Sequence, residues 1–503
     1  MSAFETTSEQ AYLTRTKAQH PGSQKEGNTA LRLQGRAEKA AFLINGDRYF
    51  AEVARALRQA RRTVWIVGWD FNPDILLEPE KSGETLADLL HAATAANPEL
   101  EIRILIWALG PIYSNKSLQV LRKKNFPKNA RIDLRFDLPG ALRGCHHQKL
   151  VCIDDALSFI GGMDLTSRRW DTRRHRAREK LRCDPEGVSY DPLHDVQAMV
   201  TGDAARLIGD IARQRWEKAT GEKHLPLAEG SPFAWPDDLA VSLREIPVGL
   251  VLTEPSTTFR TGIGDGIAST LDIISRARRQ LYIEAQYLAS FRVADAIAAR
   301  LREDDGPEVV VICTRSSHGL IEKLVMGSNR DRLIRRLKRA DRADRLRVYY
   351  PVVPGPVPMP GKDSGVEVLI HSKLILADDA LVRIGSSNLN NRSEGLDCEC
   401  DMLFEAACDE HRRAIADLRN RLLAEYLGTA SEAFAAAFRE SGSMIATIDA
   451  LNDGSRRLRE FTVELSGSVS PIRGTGIFDP ARPFLPLHRL GLGSLVRLLA
   501  RPA

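Results

Sequence analysis

Two stretches of the chain share one pattern: HQKLVCID at residues 147–154 and HSKLILAD at residues 371–378. Each reads His-x-Lys-x4-Asp, and after six further residues each continues into a turn of small residues, GGMD at 161–164 and GSSN at 385–388. A short apolar run bounded by turn residues predicts a strand, so each copy is interpreted as a strand–turn–strand unit. One copy would be weak evidence, but two copies with matching flanks indicate a duplicated unit.

The sequence before each motif repeats as well. Strand-like runs at Gln59–Phe71 and Glu101–Trp107 in the first half correspond to runs at Arg276–Leu288 and Pro307–Arg315 in the second. Segments between them, such as Tyr49–Arg62, have helical periodicity. Alternating helices and strands indicate an α/β fold. We therefore predict two similar α/β/α halves related by an internal pseudo-twofold repeat, with mixed sheets flanked by helices and the active site at the interface between the halves.

Composition shifts and Pro- and Gly-rich breaks divide the chain into five predicted segments. These are a polar, poorly ordered N-terminal segment (residues 1–38), a first half (39–224), a linker (225–240), a second half (241–430) and a C-terminal extension (431–503). The Pro-rich stretch Pro351–Gly365 is either a loop that lines the mouth of the site or a rigid connector. The extension ends in a basic amphipathic tail, which either docks on the protein or lies on an anionic membrane.

The composition is that of an ordinary globular protein with more than one domain. The 503 residues are 43% hydrophobic and 27% charged, with a net charge of +5. This charge mildly favours anionic partners, but together with only 6% aromatic residues it does not predict a nucleic-acid-binding surface. Because the internal repeat already assembles one site, we expect a monomer.

Cysteine usage and the N-terminus bear on the compartment. The seven cysteines include no CxxC pair, which favours free thiols in a reducing compartment. The first residues contain no apolar core of a signal peptide, and no charge-free apolar run is long enough to cross a bilayer. These features predict a cytoplasmic or peripheral membrane protein, and export without a signal peptide stays open.

The residue types in the two motifs suit attack on a phosphodiester. A neutral imidazole can be a nucleophile at pH 7, and a second imidazole can protonate the leaving oxygen. Two lysines can bind the non-bridging oxygens, whose charge grows in the transition state. Because residues i and i+2 of an extended strand share a face, each His-Lys pair can face one phosphate. The candidate phosphate-binding residues are Lys149, Lys373, Asn388, Ser386, Gly162 and Asp164.

Other conspicuous residues have ordinary structural interpretations. His146 is expected to point away from His147 on the opposite face of the strand. The basic run Ser167–Lys180 is either solvated or a rim for an anionic substrate, and Arg330–Arg345 is expected to be a helix with an apolar inner face. The triplet Cys398-Glu399-Cys400 has no second Cys/His pair at zinc-like spacing, so no metal site is predicted.

The paired motifs and their small-residue turns resemble the phospholipase D superfamily over about Phe42–Gly428. The first copy with its flank, CHHQKLVCIDDALSFIGGMDLTSRRWDT, is similar to the phosphatidylcholine phospholipases D of eukaryotic style. Three further stretches carry the same resemblance: HDVQAMVTGDAARLIGDIARQRW at His194–Trp216, LYIEAQYLAS at 281–290 and RSEGLDCECDMLF at 392–404.

The resemblance implies metal-independent chemistry without a cofactor, through a phosphohistidine intermediate. It implies that His147 is the nucleophile and His371 the acid/base, although the symmetrical motifs alone do not assign these roles. It also implies that a carboxylate further along orients each histidine: Glu399 fits His371, and either Asp171 or Glu179 fits the first half. The motif aspartates are mainly structural in the family. The full candidate catalytic set is His147, Lys149, Asp154, His371, Lys373, Asp378 and Glu399.

The predicted function is that of a phospholipase D. Such an enzyme hydrolyses the head-group phosphodiester of a glycerophospholipid to phosphatidate and an alcohol, and an alcohol acceptor gives transphosphatidylation. The alternatives are a cardiolipin or phospholipid synthase, which uses that transfer productively, and a phosphodiester nuclease. The expected partners are a phospholipid membrane surface, visited peripherally, and water or an alcohol as acceptor; no nucleic acid is expected.

Overall fold

The computed structural model of the protein describes residues 33–109, 130–138, 144–227, 233–257, 261–315, 320–355, 365–472, 475, 479–480 and 482. Most of the predicted polar N-terminal segment, the basic amphipathic tail, the middle of the Pro-rich stretch and part of the linker lie outside these residues. The prediction of a poorly ordered segment is wrong from Leu33 onward. Residues 33–37 pair with residues 246–250 of the second half, so ladder hydrogen bonds hold this polar stretch in place.

The strands follow the predicted order of each half. In chain order they are β1 (Leu33–Ile44), β2 (Thr63–Gly68), β3 (Glu101–Trp107), β4 (Ile132–Asp137), β5 (Leu150–Ile153), β6 (Leu157–Gly161), β7 (Leu193–His194), β8 (Val196–Gly202), β9 (Leu243–Glu254), β10 (Ile263–Gly264), β11 (Gln280–Ala285), β12 (Glu308–Cys313), β13 (Leu346–Pro354), β14 (Gly365–Glu367), β15 (Leu369–Ile370), β16 (Lys373–Ala377), β17 (Leu381–Gly385), β18 (Glu399–Glu405) and β19 (Arg457–Glu460).

The helices alternate with these strands. They are α1 (Gly46–Gln59), α2 (Leu86–Ala96), α3 (Asp203–Thr220), α4 (Asp265–Arg276), α5 (Phe291–Arg302), α6 (Leu320–Ala340), α7 (Asn391–Gly395), α8 (Asp409–Leu427), α9 (Ser431–Ser441) and α10 (Met444–Leu451). Helix α6 carries the second basic run, and Leu333, Ile334 and Leu337 are buried as predicted. In the described part of the chain, no helix is both long enough and apolar enough to span a membrane.

The ladders join the two halves into one large mixed sheet. Their order is β4-β3-β2-β5-β6-β8-β1 in the first half, continuing through the β1–β9 pair into β9-β18-β17-β16-β11-β12-β13. In each half three strands are parallel and the motif hairpin runs antiparallel to them. The predicted α/β class with two similar halves is therefore confirmed.

Three apolar clusters surround this sheet. One cluster draws on both halves and takes in buried residues of α3 and α8, including Trp216 and Leu418. The other two each belong to one half, under α1 and α2 in the first and under α4, α5 and α6 in the second. Since one face of each half is buried against the shared cluster, the ends of the motif strands are held against each other.

Candidate active site

The two motif histidines lie just before or at the start of the motif strands, where the halves meet. The His147 amide donates to the carbonyl of Cys398 at 2.9 Å, and the His371 amide donates to the carbonyl of His194 at 2.8 Å. The residues just before each motif therefore pair through their backbone with the opposite half. Before the second motif this pairing is the parallel contact of β15 with β7. This reciprocal pairing brings the two half-sites together.

Each histidine is held by a carboxylate from the other half. Oε2 of Glu399 lies 3.0 Å from Nδ1 of His147, and Oδ2 of Asp195 lies 2.8 Å from Nδ1 of His371. The expected pairing of Glu399 with His371 is therefore wrong. Because Cys398 runs alongside the residues before His147, the next side chain reaches the histidine of the opposite motif.

Neither first-half candidate for this role is the orienting carboxylate. Asp171 is engaged with His175 and Arg182 in the buried interior, and Glu179 lies in a partly exposed turn. Asp195 was missed by sequence reasoning. A signal was present, because Asp195 and Glu399 each come at the start of the strand that follows a motif hairpin, β8 or β18.

Hydroxyl groups surround Glu399. Ser386 Oγ donates to Oε2 at 2.6 Å and Ser393 Oγ donates to Oε1 at 2.6 Å, and the Ser386 carbonyl lies 3.1 Å from Nδ1 of His147. The Ser386 side chain thus supports the His147–Glu399 pair and is not free for phosphate. Asn388 is buried, and its Oδ1 has no partner among the described residues; phosphate binding through its amide NH2 group stays a prediction.

Both lysines are buried beside their histidines. Nζ of Lys149 donates to the His147 carbonyl at 2.8 Å and lies 3.3 Å from Oδ2 of Asp164. Nζ of Lys373 donates to the His371 carbonyl and to Oε1 of Gln286, the latter at 3.0 Å. The predicted phosphate contact of Asp164 is corrected, because an anion paired with Lys149 and bonded to the Trp69 amide would repel phosphate.

Gly162 makes room for the second pair. A Cβ at this position would lie 2.9 Å and 3.0 Å from the two carboxylate oxygens of Asp195 and 3.0 Å from the His371 carbonyl. The prediction that Gly162 binds phosphate is replaced by this steric role. Only a residue without a side chain lets the first half approach the His371–Asp195 pair this closely.

The electrostatics favour neutral imidazoles. Burial and the charges of Lys149 and Lys373 hold the pKa of His147 well below its usual value, and burial and the same lysines lower the pKa of His371. Burial also raises the pKa of Glu399 to about 8 and lowers that of Lys373. With Nδ1 facing a carboxylate, the lone pair of a neutral ring lies on Nε2, the nitrogen available to a substrate.

The motif aspartates belong to the fold rather than to the reacting groups. Asp154 accepts hydrogen bonds from the amides of Arg61, Arg62 and Thr63, and Asp378 does the same for Arg278, Arg279 and Gln280. Both lie in hairpin turns with positive φ at the far end of the strand, about 20 Å along the chain from the histidine. Their inclusion in the catalytic set is thereby corrected.

Two further histidine groups lie outside the reacting pair. His146 lies 2.9 Å from Asp137, and burial lowers its pKa to about 4.

His175, His194 and Glu425 have potential metal-ligand atoms within 4.8 Å of one another. Both ring nitrogens of each histidine face carboxylates, however, and this favours protonated rings over a bound metal.

Comparisons with known proteins agree with this geometry. Residues 56–242 match the family model described as "Phospholipase D", and residues 270–421 match the one described as "Cardiolipin synthase, PLD-like domain". The two matches cover the first and second motif copies respectively.

Curated relatives include plant and yeast proteins. The chain is 23% identical over 466 residues to phospholipase D alpha 4 of Arabidopsis thaliana and 25% identical over 485 residues to phospholipase D1 of Saccharomyces cerevisiae. These alignments cover 70% and 77% of the chain, but only 59% and 28% of the relatives.

A solved structure shares the fold. The crystal structure of phosphatidylserine synthase from Haemophilus influenzae matches with a TM-score of 0.52 at 13% identity, covering 93% of this chain and 97% of that one. At this identity the likeness concerns the fold alone.

Proposed function

Because this chain belongs to the phospholipase D superfamily, we propose that it cleaves the head-group phosphodiester of glycerophospholipids to phosphatidate and an alcohol. The observation that carries the proposal is the pair of histidines with lowered pKa, His371 buried and His147 partly buried, each fixed through Nδ1 by a carboxylate of the opposite half. This arrangement offers two Nε2 atoms to one phosphate, between two lysines.

The proposed reaction has two displacements at phosphorus. Nε2 of His147 attacks the phosphorus, the bond to the head-group oxygen breaks, and His371 gives its Nε2 proton to that oxygen. A water molecule then attacks the phosphohistidine while His371 takes up its proton, and the bond between His147 and phosphorus breaks. Lys149, Lys373 and the Asn388 amide stabilise the charge on the non-bridging oxygens.

Binding of the anionic substrate explains how one histidine becomes protonated. In the free site both histidines have a lowered pKa, yet the reaction needs one of them protonated. A phosphate bound between the lysines offsets their positive charges, which raises the pKa of the nearby imidazoles. Substrate binding thereby favours the protonated form of His371 that the first displacement uses.

The same intermediate supports transfer to an alcohol. The second-half match to a cardiolipin synthase domain favours this as a second activity. If an alcohol replaces water in the second displacement, the product is a new phospholipid, and a phosphatidylglycerol acceptor gives cardiolipin. Hydrolysis and transfer would differ only in the molecule, water or an alcohol, that His371 activates for attack on the phosphorus of the phosphohistidine.

The test is mass-resolved product analysis on vesicles. The protein would be incubated with mixed phosphatidylcholine, phosphatidylethanolamine and phosphatidylglycerol vesicles plus ethanol. We expect phosphatidate and phosphatidylethanol from the wild type. His147→Ala and His371→Ala should each lower the rate by about 10³-fold or more. The lipid that is consumed identifies the head group.

His91→Ala is the matched control, because His91 lies on α2 outside the site. It should leave turnover unchanged. Cardiolipin as the main product would move the protein to the synthase activity. Absence of any lipid turnover, with cleavage of a nucleic-acid phosphodiester instead, would overturn the lipid proposal.

A further inference from the structure

A chain of buried charged groups lies next to the His371 half-site. His175 Nδ1 lies 2.9 Å from Asp171 Oδ2, and its Nε2 lies 3.1 Å from Glu425 Oε1. His194 Nδ1 lies 3.1 Å from the same Glu425 oxygen, and its Nε2 lies 3.1 Å from Glu284 Oε2. All five side chains are 2% exposed or less. We call this series, Asp171–His175–Glu425–His194–Glu284, the buried relay.

The geometry requires both imidazoles of the relay to be cationic. A carboxylate only accepts hydrogen bonds, so a ring flanked by carboxylates at both nitrogens must donate from both. Hydrogen bonds and opposite charges raise the pKa of His194 to about 10 and raise that of His175 as well. Two arginines outside the relay face its carboxylates: Arg182 donates to Asp171 at 3.0 Å, and Nε of Arg173 lies 3.5 Å from Oε2 of Glu425. The three carboxylates are therefore compensated by positive charge.

The buried relay contacts the peptide that carries His371 at two points. The carbonyl of His194 accepts the amide of His371 at 2.8 Å, and Ser372 Oγ donates to Glu284 Oε2 at 2.5 Å. The residue after His194 is Asp195, which holds Nδ1 of His371. Asp195 therefore follows a relay residue directly, and His371 is hydrogen-bonded to that same residue through its amide and is followed by a residue that contacts Glu284.

Among the described residues, the first half-site lacks a matching series of alternating histidines and carboxylates. Glu284 lies in β11 opposite Leu374, and the residue at the same register in β2 is Val67, opposite Leu150. The carbonyl that accepts the His147 amide belongs to Cys398, where the other half has His194. The His147–Glu399 pair is instead bonded to the hydroxyls of Ser386 and Ser393. The residue after His147, Gln148, accepts a hydrogen bond from Arg215 at 2.6 Å, and Arg215 pairs with Asp137 at 2.7 Å. The two half-sites thus differ in the groups that support their motif peptides, which are histidines and carboxylates beside His371 and the Arg215–Asp137 pair beside His147.

We propose that the buried relay is a positioning network that holds His371 and Asp195 in the geometry needed for proton transfer, and that it does not serve the nucleophile. This inference rests on the proposed phosphodiester chemistry and on the assignment of His371 as acid/base. A ring that must exchange a proton with the leaving and entering oxygens needs a fixed direction for Nε2. The relay holds that peptide through the amide–carbonyl bond to His194 and the charge-assisted bond from Ser372 to Glu284, and its internal ionic hydrogen bonds fix both relay residues in place.

The experiment compares two leaving groups in Glu284→Gln and His194→Gln. Choline leaves as a poor alkoxide and needs the proton from His371, whereas p-nitrophenolate leaves without one. For vesicles of phosphatidylcholine we expect turnover to fall about 10–100-fold. For phosphatidyl-p-nitrophenol we expect a normal pre-steady-state burst of nitrophenol followed by slow turnover, since His371 is still needed as the base in hydrolysis.

The control for lost stability is Val53→Ala in the first-half core, whose apolar cluster contains none of the relay residues. The relay is merely structural if Glu284→Gln lowers the nitrophenol burst and the turnover of phosphatidylcholine by the same factor. It is also merely structural if these losses equal those of Val53→Ala, with each variant assayed at the same interval below its own melting temperature. An unchanged choline rate also overturns the proposal. One divalent metal ion per purified chain would do so too, because a metal-bound nitrogen cannot donate. A wild type inactive on both lipids would instead sink the proposed function.

Discussion

Nδ1 of His147 lies 3.0 Å from Oε2 of Glu399, although the two residues belong to different halves of the chain. His371 and Asp195 repeat this exchange in the opposite direction at 2.8 Å. Neither half therefore supplies the carboxylate that faces its own motif histidine. The consequence is that the site forms only when the two halves pack together, so catalytic competence depends on the interface as well as on the motifs.

The exchanged pairing predicts which histidine each carboxylate affects. Glu399→Gln replaces the buried carboxyl group that faces Nδ1 of His147 with an amide, and we expect kcat to fall about 100-fold with little change in KM. In ¹⁵N NMR of the histidine side chains, the ring ¹⁵N signals of His147 should shift, while those of His371 should keep their chemical shifts. Asp195→Asn should give the opposite pattern. Shifts of His371 in Glu399→Gln would contradict the pairing.

The lysine beside the nucleophile predicts the acid limb of the pH profile. The pKa of His147 is lowered by burial and by Lys149, so Nε2 loses its lone pair only when the pH falls through that lowered value. Lys149→Met removes one of these causes, and the pKa should rise toward 6.5. The acid limb of kcat/KM should therefore move to higher pH, in addition to a lower maximum. Lys218→Met, an exposed lysine on α3 that pairs with Glu254, should leave the limb where it is.

Close packing at Gly162 predicts a strong effect of one methyl group. In Gly162→Ala the new Cβ would meet both oxygens of Asp195 at about 3 Å, so the carboxylate must shift away from His371. We expect activity to fall about 10–100-fold, with a smaller effect on melting temperature. Gly83→Ala is the matched control, because a Cβ there meets nothing within 4 Å. Equal activity of the two variants would refute the steric role.

The motif aspartates should matter for stability. Asp154→Ala leaves three backbone amides without their acceptor, and we expect the free energy of unfolding to fall by about 2–4 kcal/mol. Activity per folded molecule should stay within a few-fold of the wild type, as measured below the urea transition. Glu80→Gln, on an exposed turn, is the control and should change neither quantity. A folded Asp154→Ala protein without activity would return this residue to the catalytic set.

The buried relay predicts a fall in stability at alkaline pH. The pKa of His194 is raised from 6.5 to about 10, so the folded state holds its proton more tightly than the unfolded state. The resulting stability is fully present below pH 6.5, decreases as the pH rises toward 10, and is absent above it. Urea unfolding of the wild type should show this decline, and His194→Gln should flatten it. A curve with the same slope in both proteins would argue against a protonated ring.

Much of the fold could be predicted because its signals are local. The apolar runs of KLVCID and KLILAD predict strands by residue type, and the turn residues after them predict the hairpins β5–β6 and β16–β17. Asp154-Asp155 and Asp378-Asp379 occupy the positive-φ positions of these turns, where Asp is tolerated. The internal repeat then indicated two halves, and the continuous sheet through β1 and β9 agrees with that prediction.

The sequence by itself determined which residues are the candidates for the reaction, because His147, Lys149, His371 and Lys373 are marked by a repeated local pattern. Only the tertiary structure decided how they are supported. Glu399 was expected at His371 because it follows that histidine by 28 residues, but backbone pairing across the interface carries it to His147. The roles of Asp195, Gly162 and the buried relay likewise depend on contacts between segments far apart in sequence. Periodicity and spacing describe neighbours along one strand or helix, whereas the partner of a buried charge is set by whichever chain segment packing brings within hydrogen-bonding distance.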